Sequence, residues 1–199
     1  MARPHRLQAS GAHYHLISRG NGRQTVYLDD ADRWYFLSIA ERVRARFDWG
    51  ILAYCLMGNH YHLFVQTPSP TLSEGMRLIN SGYAQWFNRR HGRVGHVFQG
   101  RYTAVLVDNQ SYYLELIRYI ALNPVRKKLC NTPEDWRWSS HRAMFGSGPG
   151  ALSIQVARVL AAFGSVDMYR AFVHRPIKRD EDVLGSPEFV RDVLMRRSD

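Results

Sequence analysis

The sequence predicts an α+β sandwich, with one antiparallel sheet and helices laid across it. Three observations support this. Strand-like alternation and helix-like spacing follow one another in the order β-α-β-β-α-β-α, two strands are joined by a tight hairpin, and the helices are long enough to cover a sheet face. The order has ferredoxin-like character and is not that of a doubly wound parallel sheet. A chain of 199 residues can bury a full core, as one domain with an appendage.

The elements follow from local signals. His13-Tyr14-His15-Leu16-Ile17-Ser18 alternates as a strand and runs into the loop Arg19-Gly20-Asn21-Gly22. Asp29 or Asp30 caps a helix to about Phe47, whose apolar side is Trp34, Tyr35, Leu37, Ile39, Ala40 and Val43. Gly58-Asn59 is a tight turn between strands Ile51 to Met57 and His60 to Gln66. After Pro68-Ser69-Pro70, Thr71 or Ser73 opens a second helix with Leu72, Met76, Ile79, Tyr83 and Trp86 on one face, ending at Arg89-Arg90-His91-Gly92. Val97 to Val107 reads as a strand or strand pair. Asp108 or Asn109 caps a third helix, expected to stop near Asn123 because Pro124 disfavours helical geometry before it. A Gly/Pro/Ser linker then separates residues 1–146 from a helical extension, 147–199, with stretches at Leu152 to Phe163, Val166 to Val173 and Pro187 to Met195.

Composition narrows the partner. The net charge of +10 favours a polyanion or an acidic membrane surface. No apolar run approaches the ~20 residues that span a bilayer, and the N-terminus lacks a signal peptide's apolar core. Cys55 and Cys130 lack metal-ligand spacing and read as reduced thiols of a cytosolic protein. Nucleic acid is therefore the leading partner.

The chemistry centres on Leu56-Met57-Gly58-Asn59-His60-Tyr61-His62-Leu63-Phe64-Val65. On a strand, His60 and His62 point the same way and Tyr61 the other. Two neutral imidazoles make half of a divalent-metal site; the alternative is a pair of surface or satisfied core histidines. On the third helix, Tyr119 and Asn123 are four residues apart and share a face. An amide carbonyl is a reasonable third ligand for a hard cation such as Mg²⁺ or Mn²⁺. If the two faces meet, a metal flanked by a tyrosine nucleophile suits phosphodiester transfer. Tyr113 is the rival nucleophile but has Ile117 where an amide would be needed. His13 and His15 form a second His-x-His, with no preceding turn and no partner motif, and read as core or surface residues. His96 is left open.

His60-Tyr61-His62 resembles the His-hydrophobic-His motif of the HUH single-strand endonucleases. Arg118-Tyr119-Ile120-Ala121-Leu122-Asn123-Pro124-Val125 resembles the tyrosine helix of one branch, the REP-associated tyrosine transposases. Arg19-Gly20-Asn21, Phe98-Gln99-Gly100-Arg101-Tyr102 and Trp136-Arg137-Trp138-Ser139-Ser140 fall in the matching order from about His13 to Gly146, and Val183-Leu184-Gly185-Ser186 echoes it in the tail. The resemblance implies an HUH endonuclease core and an enzyme of DNA transposition acting in the bacterial cytosol, at the nucleoid. It implies that Tyr119 attacks single-stranded DNA to give a 5′-phosphotyrosine and a free 3′-hydroxyl. It also implies that His60, His62 and Asn123 hold Mg²⁺ or Mn²⁺, Asn123 standing where related transposases often have Gln. Family substrates are hairpins of repetitive extragenic palindromes, and the resemblance implies the same class here. Gly58 stands where the family usually has proline, which is expected to loosen the turn.

Basic residues cluster around these motifs, and Arg101, Arg126, Lys127 and Arg90 are the expected phosphate contacts. Trp86 reads as packed in the core. Two other functions remain open: a hairpin-binding regulator that does not cleave, and a metal-dependent nuclease in which water attacks. Monomer and homodimer are equally compatible with the sequence.

Overall fold

The computed structural model describes residues 8–176. In order, the elements are β1 (Ala12–Arg19), α1 (Asp30–Phe47), β2 (Gly50–Leu56), β3 (His60–Thr67), α2 (Leu72–His91), β4 (Thr103–Val107), α3 (Gln110–Arg126), α4 (Val156–Phe163) and α5 (Val166–Val173). Short 3₁₀ turns lie at Asn21–Arg23, Pro133–Asp135 and His141–Phe145. The sheet has the order β2-β3-β1-β4 and is antiparallel throughout, which makes the expected α+β architecture a ferredoxin-like sheet.

Strand alternation divides the sheet between two layers. Tyr14, Leu16, Tyr61, Leu63 and Val65 join α1 and α2 in one core cluster. Ala53, Cys55, Phe64 and Val107 join α3, α4 and α5 in the other. A bulge between Ile51 and Ala53 lets Leu52 and Ala53 both serve the second layer. The tail helices bury Val159, Phe163, Tyr169 and Val173 in that same cluster. The third stretch, Pro187 to Met195, and the Val183 motif lie outside the described residues.

The helix boundaries follow their caps. Asp29 accepts from the Asp32 amide at 3.1 Å, and Asp32 accepts from the Leu28 and Asp29 amides at 2.7 and 3.3 Å, a reciprocal capping box. Gly92, in the left-handed region, closes α2. Trp34 is a correction: it is 37% exposed and packs edge-on against Trp138, while Phe36 takes the buried position. Trp86 does pack, stacked on Tyr35 with ring centroids 4.0 Å apart.

Two other boundaries differ from expectation. Extended pairing in the fourth strand begins only at Thr103; upstream, Phe98 makes a single bridge to Gly20. The left-handed Gly95 and Gly100 interrupt the extended backbone there. The third helix runs through Pro124 to Arg126 and does not stop at Asn123. Proline has no N–H to offer the Ile120 carbonyl, but only one turn follows it, closed by Lys127 N–H on Asn123 O and Leu129 N–H on Pro124 O. Burial of Ile120, Ala121, Leu122 and Pro124 offsets the lost bond.

The Gly58-Asn59 turn is stapled: Val26 N–H donates to Gly58 O at 2.9 Å and Gly20 N–H to Asn59 O at 2.7 Å. A Cβ on Gly58 would meet nothing within 4 Å, and its φ lies outside the left-handed range. Gly58→Ala is therefore expected to stabilise the protein by about 0.4–1 kcal/mol, through a less disordered unfolded chain. The denaturation midpoint reads this directly, and a fall would show that the turn needs glycine.

Candidate active site

The register of the sheet sets the site. Arg19 pairs with His60, Ile17 with His62 and His15 with Phe64, so His15, Arg19, His60 and His62 share the face covered by α3. Tyr61 points the other way, where its hydroxyl donates to Asn80 Oδ1 at 2.5 Å and Asn80 Nδ2 donates to Ser18 Oγ at 2.9 Å. Strand β3 is thereby fixed from the layer opposite the site.

Each imidazole has a defined orientation. Asn59 Nδ2 donates to Arg23 O at 3.1 Å, so its Oδ1 is an acceptor, and His60 Nδ1–H donates to it at 2.7 Å. That leaves the lone pair of His60 on Nε2. Asn123 Nδ2 donates to His62 Nε2 at 3.2 Å, which puts the His62 proton on Nδ1, 2.9 Å from His15 Nε2. His62 therefore also carries an Nε2 lone pair, and a second imidazole holds its far side, as ligand histidines are commonly held. Asn123 Oδ1 is buried with no hydrogen-bond partner. Half a turn of the amide exchanges it with Nδ2 and aims it at the same space. Two Nε2 lone pairs, and an amide oxygen that replaces the Asn123 Nδ2 donor once the amide turns, fit a divalent cation held by His60, His62 and Asn123.

Electrostatics favour the ligand form. Burial lowers His60 to about 4, helped by the charges of Arg19 and Lys127, with Asn123 opposing. Burial also holds His62 well below its usual range, with His60, His15 and Arg19 adding to it, and lowers His15 to about 3. All three rings are neutral near pH 7. Tyr119 lies edge-on to His62, ring centroids 5.4 Å apart, and to His15 at 6.3 Å. Burial raises its phenol, while Asn123 and the Arg126 guanidinium, 5.4 Å over the ring, pull it back.

The structure thus brings Tyr119, Asn123, His60 and His62 together, with Arg126 and Lys127 beside them. Arg101 is exposed in the loop before β4. Arg90 lies in the α1/α2 layer, bonded to Asp29 and Asp32 at 2.6 and 2.5 Å. Tyr113 packs against His13 and Phe64, with centroids at 5.7 and 5.0 Å. His96 is exposed.

Two residues at the site are not assigned to it from sequence, where His15 reads as a core or surface residue. His15 is buried as a core residue would be, yet it bonds the His62 ring. Arg19 lowers His60, His62 and the Tyr119 phenol. Their even spacing along one strand was the available signal, but it acquires meaning only with the β1–β3 register.

Comparison with known proteins follows the same lines. Among solved structures, a REP-associated tyrosine transposase bound to a REP hairpin is similar with a TM-score of 0.61 and 20% identity, covering 78% of this chain and 93% of that one. A putative transposase from Deinococcus radiodurans R1 gives 0.41 and 18%, over 60% and 94%. No curated protein matches. The family model described as "Transposase IS200 like" matches residues 8–123, more than half of the chain. The chain belongs to the IS200-like transposase family.

Proposed function

We propose that this transposase cleaves and rejoins hairpin-containing, REP-like single-stranded DNA through a covalent tyrosine intermediate. The observation that supports this most is the meeting of Tyr119, Asn123 and His62 beneath one helix, with a second histidine on the same strand face. The Tyr119 oxygen attacks phosphorus, the P–O3′ bond breaks, and the products are a 5′-phosphotyrosine and a free 3′-hydroxyl. Attack by a 3′-hydroxyl on that phosphotyrosine reverses the step and rejoins strands. Bound by His60, His62 and Asn123, Mg²⁺ or Mn²⁺ supplies Lewis-acid polarisation of the phosphoryl oxygen. Arg126 stabilises the phenolate, and its charge with those of Lys127 and Arg19 holds phosphate at the site. Arg101 and Arg90 are assigned to the strand further away, Arg90 only after it exchanges its carboxylates for phosphate.

The hairpin preference rests on the structural relative, a REP-associated tyrosine transposase bound to a REP hairpin. Residues 1–146 are assigned the chemistry, the described helices of the extension 147–199, α4 and α5, brace it through the second core cluster, and the protein acts in the bacterial cytosol. The test is a labelled hairpin with single-stranded flanks, incubated with the full chain and Mg²⁺ or Mn²⁺. A protein–DNA adduct that survives denaturant is expected. Cleavage with no adduct would instead assign a hydrolytic nuclease, and binding without cleavage a hairpin-binding regulator.

A further inference from the structure

A second group of ligand-type side chains lies outside this site. Glu134, from the turn Pro133–Asp135, His141, at the start of the turn His141–Phe145, and His174, capping α5, converge on one point. Glu134 Oε1 lies 3.1 Å from His141 Nε2 and 2.8 Å from His174 Nε2, and the three ligand atoms lie within 4.8 Å of one another. His141 is wholly buried, and its other nitrogen, Nδ1, lies 2.7 Å from the Tyr169 hydroxyl. That is the arrangement of a ligand imidazole held by an outer hydrogen bond.

We propose that Glu134, His141 and His174 bind a zinc ion, which clamps α5 to the segment following the catalytic helix. Two imidazoles and one carboxylate converging at near-tetrahedral separations are a ligand set that suits Zn²⁺. Bond lengths of about 2.0–2.2 Å in a tetrahedron separate ligand atoms by roughly 3.3–3.5 Å. The two short contacts need only open by some tenths of an ångström, and the partly exposed Glu134 and His174 side chains can give that. Water completes the tetrahedron from the solvent side.

The position gives the ion something to do. His174 adjoins Arg175, whose carbonyl accepts from Arg118 Nη2 at 2.7 Å, and Arg118 immediately precedes Tyr119 on α3. Holding His174 therefore holds the acceptor that anchors the middle of the tyrosine helix. The set shares no ligand with His60, His62 and Asn123, so it stands or falls independently of that site.

The test is zinc stoichiometry on the chelator-stripped full chain, by competition against a chromophoric chelator, with thermal unfolding as a second readout. Glu134→Gln/His174→Ala, both changes at partly exposed positions, is expected to bind one equivalent fewer than the parent, whether or not the parent also fills the His60 site. Added zinc is expected to raise the parent's unfolding temperature more than the variant's. Glu134→Gln alone is expected to weaken the site at least about tenfold. Equal stoichiometry in parent and double variant, or no zinc bound by the parent, would overturn the proposal and leave a charge-assisted His-Glu-His bridge.

Discussion

Tyr119→Phe is expected to leave hairpin binding intact and to eliminate the covalent adduct. The substitution removes one oxygen and keeps the ring that lies against His62, His15 and Arg126. Loss of a nucleophile costs on the order of 10⁴–10⁶ in rate, because nothing else in the site can form the bond. Binding rests on charge and shape that the variant keeps, so Kd by filter binding should move less than about twofold. Tyr113→Phe serves as the control: its ring packs on His13 and Phe64, away from the histidine pair, and adduct yield should match the parent's. Adduct formation by Tyr119→Phe at parental rate would move the nucleophile elsewhere.

The largest loss of stability is expected from Asp32→Ala. The Asp32 side chain is wholly buried and serves four partners. Its Oδ2 accepts the Leu28 and Asp29 amides, and its Oδ1 meets Arg90 Nη1 at 2.5 Å and His91 Nε2 at 2.9 Å. One carboxylate therefore closes the first turn of α1 and binds the last turn of α2 to it. Losing half a capping box costs about 1 kcal/mol, and losing the buried bonds to Arg90 and His91 about 2 more. For a chain of this size that lowers the unfolding temperature by roughly 6–12 °C. Arg90 keeps its bond to Asp29, whose carboxyl it holds well below the usual carboxylate range, so the interface loosens without leaving the guanidinium unpaired. A shift of less than about 2 °C would mean that Asp29 alone secures the junction.

The sequence was most readable where a local rule acts alone. Asp29 and Asn109 mark their helix starts because capping is decided within four residues. His60 and His62 share a face because strand alternation needs no partner. Tyr119 and Asn123 share a helix face for the same kind of reason. Reading became unreliable where distant chain decides. Pro124 sits inside α3 because packing of the surrounding residues outweighs a local penalty that the sequence shows by itself. Trp34 turns out of the core because Trp138, a hundred residues later, offers it an edge. His15 lacked any visible partner because the contact that gives it a role spans 47 positions. The carboxylates that hold Arg90 in the free protein were invisible in the sequence because they lie on another helix.

The histidine strand and the tyrosine helix that meet at this site come from one polypeptide, packed against each other through the second core cluster. The proposed chemistry is accordingly expected to be first order in protein. Adduct formed per chain should stay constant across a hundredfold dilution with DNA in excess, provided each chain remains saturated. A site assembled from two chains would instead lose specific activity as the molecules separate. Molecularity, read from a dilution series, thus follows from where α3 docks.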